Sequence, residues 1–147
     1  TQKTVSVCTG SIILASTGLL KNKKATSHWK AVNMLTQFEV NPVRERIVSE
    51  GKYITAAGVS AGIDMALYLV NELKGEKAAK AAQLSIEYDP DPMFNSGNYL
   101  NAEQDVIKLS EEIMENDAKK DLSLWEILVN ARTLLKLKNN TDKQKRF

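Results

Sequence analysis

The chain has 147 residues and 43% apolar content, which suits one domain with a single core. Twenty Lys and Arg residues against eighteen Asp and Glu leave a formal charge of +2, too small to indicate nucleic acid as the main partner. One cysteine excludes an internal disulfide and favours a reduced, cytoplasmic location. No apolar run reaches the roughly 18 residues of a membrane span, so no membrane partner is expected.

The first part of the chain alternates β-prone runs with helical patterns. The predicted elements are a strand at residues 5–8, a helix at 12–20, a strand at 25–28, a helix at 29–38 and an antiparallel hairpin within 44–56. Alternation of this kind predicts an α/β sandwich with a mostly parallel sheet, to which the hairpin adds an antiparallel strand.

The second part of the chain is predicted to be helical. The predicted helices cover residues 63–73, which Gly75 ends, then 76–86, 102–116 and 123–137. Pro90 and Pro92 exclude helix between the second and third of these. The apolar stripe of 123–137 either packs on its own domain, which is the favoured interpretation, or covers a neighbouring subunit.

The cysteine lies where a strand gives way to a helix, in Ser6-Val7-Cys8-Thr9-Gly10-Ser11. A thiol in such a turn projects over the carboxyl edge of the sheet, and the start of the helix favours the thiolate form. The Thr9 N–H is expected to supply one arm of an oxyanion hole, and Gly10 to relieve crowding in the turn. The alternative is that Cys8 is a small buried apolar residue.

His28 is the only histidine in the chain and ends the second predicted strand. Because the carboxyl ends of parallel strands lie at one edge of a sheet, we expect His28 to approach Cys8. A Cys–His pair is a common way to activate a thiol, although a lone histidine also serves structural roles. With one Cys and one His, the sequence does not suggest a metal site.

Asp64 is the nearest acidic candidate for a third member of this group. An acid in the first turn of a helix stabilises that terminus, so we assign Asp64 no catalytic role. Gly58 and Gly62 flank the same helix start. They either allow close approach of a ligand to the backbone or permit tight packing of helix on sheet.

Several ordered blocks resemble the ThiJ/PfpI family of class I glutamine-amidotransferase-like proteins. They are Val7-Cys8-Thr9-Gly10-Ser11, Gly18-Leu19-Leu20, Ala25-Thr26-Ser27-His28-Trp29, the run from Ile54 to Asp64, and the run from Ile86 to Pro92. The blocks are similar to the branch that contains isonitrile hydratases and the amidase-like domains of certain transcriptional regulators. The resemblance implies a flavodoxin-like three-layer sandwich, a nucleophile elbow at Cys8 and a homodimer.

The resemblance also implies an activity. In the hydratases a cysteine acts with an acidic residue and the neighbouring threonine to add water to an isonitrile, which gives an N-substituted formamide. On this basis the expected catalytic residues are Cys8, Thr9 and His28, and the expected substrate contacts are Gly10, Gly58 and Val59. The substrate is a small molecule, with no cofactor and no metal. The alternative is a non-hydratase member of the family that binds a ligand or senses oxidants through Cys8.

Family members carry roughly a hundred more residues before the elbow, and the acidic partner lies among them. We therefore interpret residues 1–120 as the C-terminal portion of such a domain and 121–147 as a C-terminal helix with a polar tail. The N-terminal strands are either a separate chain, removed, or absent from this sequence. We expect residues 1–147 alone to fold poorly and to be inactive. The tail has no room for a helix-turn-helix domain, which disfavours a DNA-binding regulator.

Overall fold

The computed structural model describes residues 1–120, with side chains described through residue 117. The strands are β1 (Thr4–Val7), β2 (Lys24–Ala25), β3 (Asn41–Pro42), β4 (Ile47–Glu50) and β5 (Tyr53–Ala56). The helices are α1 (Gly10–Ser16), α2 (Val59–Lys74), α3 (Glu76–Ser85) and α4 (Gln104–Lys120), with a 3-10 helix at Val32–Phe38. The helix predicted at 123–137 and the polar tail lie outside the described residues. Each helix within residues 1–120 is too short or too polar to cross a bilayer.

The strands form two small sheets. The first has the order β1-β5-β4, with β1 parallel and β4 antiparallel to β5, and the second pairs β2 with β3 in parallel. The predicted α/β class and the mostly parallel pairing are therefore confirmed. The antiparallel hairpin is confirmed as β4 and β5, and its turn contains Gly51 at a φ of +63°, which suits glycine.

Buried apolar side chains form two clusters. One cluster joins α1, the 3-10 helix and β2 through Ile12, Ala15, Leu20, Ala25, Val32, Leu35, Phe38 and Val40. The other joins β5 to α2 through Ile54, Ala56, Ala61 and Met65. The helices α1 and α2 are therefore each packed through a buried apolar cluster.

Two predicted helices are shorter than their apolar patterns suggested. α1 stops at Ser16 rather than residue 20, and Gly18 follows at a φ of +82°. The pattern at 29–38 forms a 3-10 helix from Val32, and Glu39 ends it in the left-handed region. After α1 the apolar spacing continues because a turn still directs Leu20 into the core. The second pattern is instead shortened at its start, since residues 29–31 precede the 3-10 helix.

Two other boundaries also differ from prediction. The strand at 25–28 is reduced to β2, because the Thr26 N–H donates to the buried Thr55 hydroxyl at 2.9 Å instead of to a strand. α2 begins at Val59, four residues earlier than expected, and ends at Gly75 as predicted. The early start moves Asp64 out of the first turn.

The expected role of Asp64 at the helix terminus is therefore wrong. Asp64 lies in the second turn of α2, where its carboxylate accepts hydrogen bonds from the Arg46 guanidinium, with Nε at 2.9 Å, and from the Tyr88 hydroxyl at 2.7 Å. These contacts join the segment before β4 and the segment after α3 to one side chain of α2. Asp64 is a structural anchor.

Burial of Asp64 raises the pKa of its carboxyl, but the hydrogen bonds from Arg46 and Tyr88 and the Arg46 charge outweigh it and hold the pKa below its usual value. A lowered carboxyl pKa in the folded state contributes stability that is present above the unfolded pKa of about 3.9. That stability is lost as the pH falls through the folded pKa.

Asp64→Asn is expected to lower the free energy of unfolding by about 1 kcal/mol at neutral pH, because it removes the charge that Arg46 and Tyr88 contact. Urea denaturation at several pH values measures this loss, which should shrink below about pH 4 as the wild-type carboxyl takes up a proton. Glu76→Gln, at the exposed Glu76–Lys80 pair of α3, is the control and should cost no more than about 0.5 kcal/mol. A loss of stability for Asp64→Asn that is equal to or smaller than the loss for Glu76→Gln would contradict the anchor role.

Gly62 serves helix-on-sheet packing, one of the two roles considered for it. A Cβ at this position would lie 2.7 Å from Cγ1 of Val7 on β1. No flexible side chain relieves that overlap, since valine has a stiff, branched Cβ.

Gly62→Ala is expected to destabilise the fold by about 1 kcal/mol, because overlap with Val7 exceeds the gain in helix propensity. The Val7→Ala/Gly62→Ala double variant should recover most of this loss, which a urea-denaturation cycle of the four proteins measures. Stabilisation by Gly62→Ala alone would show that the contact is not tight.

Candidate active site

Cys8 lies in a sharp turn between β1 and α1. Its φ is +57°, in the left-handed region, and α1 begins two residues later at Gly10. This conformation costs an ordinary L-residue roughly 1–2 kcal/mol, so the surrounding structure must hold it. The predicted strand–cysteine–helix turn is present, with Cys8 partly exposed.

Hydrogen bonds hold the Cys8 backbone on both sides. Its N–H donates to the Ala56 carbonyl at 3.0 Å, which extends the parallel β1–β5 pairing by one residue. Its carbonyl accepts from the Ser11 hydroxyl at 3.1 Å and from the Ser27 hydroxyl at 3.0 Å. The turn is therefore fixed by β5, by α1 and by the segment after β2.

Thr9 and Gly10 complete the turn. Thr9 precedes α1 with a φ of −67°, and its hydroxyl makes no capping hydrogen bond to that helix. A Cβ on Gly10 would lie 3.7 Å from the Cβ of Ser6, an ordinary contact. The expectation that Gly10 is needed to relieve crowding is therefore wrong, whereas the Thr9 hydroxyl is free of the helix and borders Cys8.

His28 follows Ser27 but does not pair with the thiol. Among the described residues no hydrogen bond joins its ring to Cys8, and its Nδ1 accepts a long one, 3.4 Å, from the Lys30 N–H. Desolvation lowers the pKa of His28 below its usual value, so the ring is neutral at pH 7. Within this segment, the Ser27 hydroxyl donates to the Cys8 carbonyl.

A cleft of about 270 Å³ opens beside His28. Its walls come from residues 26–29, residues 44–46, the start of α2 at Gly58, and residues 97–100. Ser27 belongs both to this wall and to the contacts of the elbow. Of the expected substrate-binding residues, Gly58 borders the cleft, whereas Gly10 does not line it.

Val59 lies on a different surface from the cleft. Its side chain is 75% exposed and borders an apolar groove formed with Val7 of β1 and with α2 and α3. Gly58 lines the cleft, Val59 lines the groove and Gly10 lines neither, so the expected set Gly10, Gly58 and Val59 does not converge on one pocket.

Aromatic and cationic side chains close the cleft on its outer side. The Trp29 and Tyr99 rings stack with centroids 5.3 Å apart, and the Arg44 guanidinium lies 4.8 Å from the centre of the Tyr99 ring. Arg44 also donates to the Trp29 carbonyl at 3.2 Å. This arrangement attaches residues 97–100 to the segment that carries Ser27 and His28.

The sequence reasoning did not identify Ser27, Arg44 or Tyr99 as part of this region. Ser27 had a weak signal, since it is a hydroxyl directly before His28 in a short β-prone run. Nothing in the sequence places Tyr99 beside Trp29, because that contact depends on the path of the loop before α4. Within residues 1–120, no three His, Cys, Asp or Glu side chains group as a metal site requires.

The chain is similar to proteins of known family. It is 41% identical over 126 residues to isonitrile hydratase of Pseudomonas putida, a match that covers 78% of this chain and 55% of that protein. It is 36% identical over 73 residues to the HTH-type transcriptional regulator CdhR of Pseudomonas aeruginosa, covering 48% of this chain and 22% of the regulator. The chain thus spans about half, or less, of the length of these relatives.

A solved structure supports the same assignment. The crystal structure of a ThiJ/PfpI family protein from Pseudomonas syringae superposes with a TM-score of 0.72 at 40% identity, over 90% of this chain and 50% of that one. A model of the DJ-1/PfpI family matches residues 1–72, which contain the elbow at Cys8, Ser27, His28 and the start of α2. Over that span, this chain matches the DJ-1/PfpI family.

Proposed function

We propose that this chain carries the nucleophile of an isonitrile hydratase and that Cys8 is that nucleophile. The observation that carries the proposal is the left-handed Cys8 turn between β1 and α1, which the backbone and two hydroxyls hold in place. The 41% identity to isonitrile hydratase of Pseudomonas putida supports the choice of reaction.

The first step joins the thiol to the substrate. The Cys8 sulfur attacks the terminal carbon of R–N≡C, a C–S bond forms, and the carbon takes up one proton. The product of this step is a thioimidate, Cys8–S–CH=N–R, which has the mass of the thiol plus the whole isonitrile. The step is balanced without a redox partner, and the proton is the one lost from the thiol.

The second step adds water and releases the product. Water attacks the thioimidate carbon, the nitrogen takes up a proton, and the C–S bond breaks to return the thiolate. The product is R–NH–CHO, and the thiolate regains its proton for the next cycle. In the proposal Thr9 orients the water with its hydroxyl. The acidic residue that the family resemblance implies transfers the protons.

The substituent R occupies the cleft in this proposal. Ser27 lines the cleft and its hydroxyl bonds to the Cys8 carbonyl, so this residue links the cleft to the Cys8 turn, although Cys8 itself does not line the cleft. His28, neutral at pH 7, and Gly58 border R in the same space. This assigns His28 a substrate-contact role, since no hydrogen bond within residues 1–120 links it to the thiol.

Replacing Cys8 is expected to abolish hydration of a panel of small alkyl and aryl isonitriles. Cys8→Ala and Cys8→Ser should lower kcat/KM at least about a thousandfold, because the bond-forming atom is lost or replaced by a poorer nucleophile. Formamide production followed by NMR measures the rate. Ser85→Ala, which removes a hydroxyl on the exposed face of α3, is the matched control.

Two results would separate this proposal from its alternatives. Turnover that survives Cys8→Ala would exclude covalent catalysis by Cys8. Absence of turnover in full-length protein that includes the N-terminal strands, combined with binding of a ligand or oxidation of Cys8 by mild peroxide, would favour the ligand-binding or redox-sensing member of the family.

His28→Gln is expected to lower kcat/KM by less than about tenfold, far less than loss of Cys8, because the histidine ring does not pair with the thiol. The change should appear mainly in KM if His28 contacts R. The measurement is initial rate against isonitrile concentration. A loss in kcat as large as that of Cys8→Ala would restore the Cys–His pair predicted from sequence.

A further inference from the structure

The carbonyl of Cys8 accepts two buried hydroxyl donors. Ser11 is fully buried and Ser27 is 2% exposed, and their Oγ atoms lie 3.1 and 3.0 Å from the Cys8 oxygen. Ser11 belongs to α1 and is a local donor. Ser27 comes from a separate segment, nineteen residues along the chain, so its bond depends on the tertiary fold.

These bonds act on the strained part of the turn. Gly adopts a φ near +57° because it lacks a Cβ, and Asn and Asp do so because their side-chain oxygens form local hydrogen bonds. Cys8 has neither feature. The Ala56 carbonyl fixes the Cys8 N–H, and the two serines fix the Cys8 carbonyl, so both ends of the residue are held. Because the following peptide is planar and trans, the Thr9 N–H is directed to the opposite side from the serines.

The Ser27 hydroxyl is itself held in place. The preceding Thr26 N–H donates to the buried Thr55 hydroxyl of β5 at 2.9 Å, and Val7 of β1 pairs with Ala56 of β5. The positions of Ser27 and Cys8 are therefore both fixed relative to β5. Because β5 holds both residues, the Ser27 hydroxyl can define the direction of the Cys8 carbonyl.

We propose that Ser27 is a positioning residue for Cys8: its hydroxyl holds the elbow in the left-handed conformation and thereby sets the direction of the thiol. This inference rests on the proposed function, because it takes Cys8 as the reacting group. Ser27 acts through the Cys8 backbone and does not contact the reacting carbon.

The test measures the thiol directly in the purified protein. Iodoacetamide alkylation is followed by mass spectrometry of the tryptic peptide 4–21, which contains Cys8 between Lys3 and Lys21. Alkylation rates are measured from about pH 6 to about pH 10 for Ser27→Ala, Ser27→Val and Ser27→Thr. The Val and Thr side chains have nearly the same shape, and only Thr carries a hydroxyl. Ser16→Ala is the matched control, since Ser16 makes the same kind of hydroxyl-to-carbonyl bond, to Ile13, at the exposed end of α1.

Ser27→Ala and Ser27→Val are expected to slow alkylation about tenfold across the pH profile, because one hydrogen bond to the strained turn is lost. Ser27→Thr, which keeps the hydroxyl, and Ser16→Ala should stay within about twofold of wild type. Thermal melts establish that each variant is folded. If Ser27→Ala does not fold, Ser11→Ala removes the other donor to the same carbonyl and should give the same slowing.

The inference is overturned if folded Ser27→Ala and Ser27→Val alkylate at the wild-type rate with an unchanged pH profile. A lower melting temperature with unchanged alkylation would assign Ser27 a structural role only, and would also overturn it. Because alkylation needs no isonitrile, slowed alkylation in a protein without hydratase activity would retain the positioning role and remove the proposed reaction.

Discussion

The backbone of Cys8 is the constraint on which the rest of the site depends. A left-handed cysteine between a strand and a helix is unfavourable by itself, so its conformation has to be imposed from outside the residue. Parallel pairing of β1 with β5 imposes it from one side through the Ala56 carbonyl, and Ser11 and Ser27 impose it from the other. If any of these partners is lost, fewer hydrogen bonds offset the cost of the left-handed conformation of Cys8.

β5 connects this turn to the cleft. Its buried Thr55 accepts the Thr26 N–H, and its end leads through Ala57 and Gly58 into α2. The cleft lies where the end of β5, the start of α2 and the segment after β2 meet, which is the kind of edge where α/β folds commonly bind ligands. The family match covers these elements, whereas residues 97–100, which also line the cleft, lie beyond it.

Local signals in the sequence predicted the elbow, the hairpin and the end of α2. An apolar β-prone run broken by Thr9 and Gly10 before a helical pattern is a local feature, and so are the turn at Gly51 and the stop at Gly75. The contacts that define the site are not local. Ser27 reaches Cys8 across nineteen residues, and Arg46 and Tyr88 reach Asp64 across eighteen and twenty-four. The spacing of residues along the chain carries no information about which hydroxyl or guanidinium meets which acceptor.

The most direct test of the central claim is to look for the covalent intermediate on Cys8. Rapid acid quench during isonitrile turnover, followed by mass spectrometry of the tryptic peptide 4–21, measures whether the peptide carries the substrate. The account predicts a fraction of this peptide heavier by the full mass of the isonitrile, with the adduct on Cys8. Formamide that accumulates while peptide 4–21 stays unmodified at every quench time would contradict it.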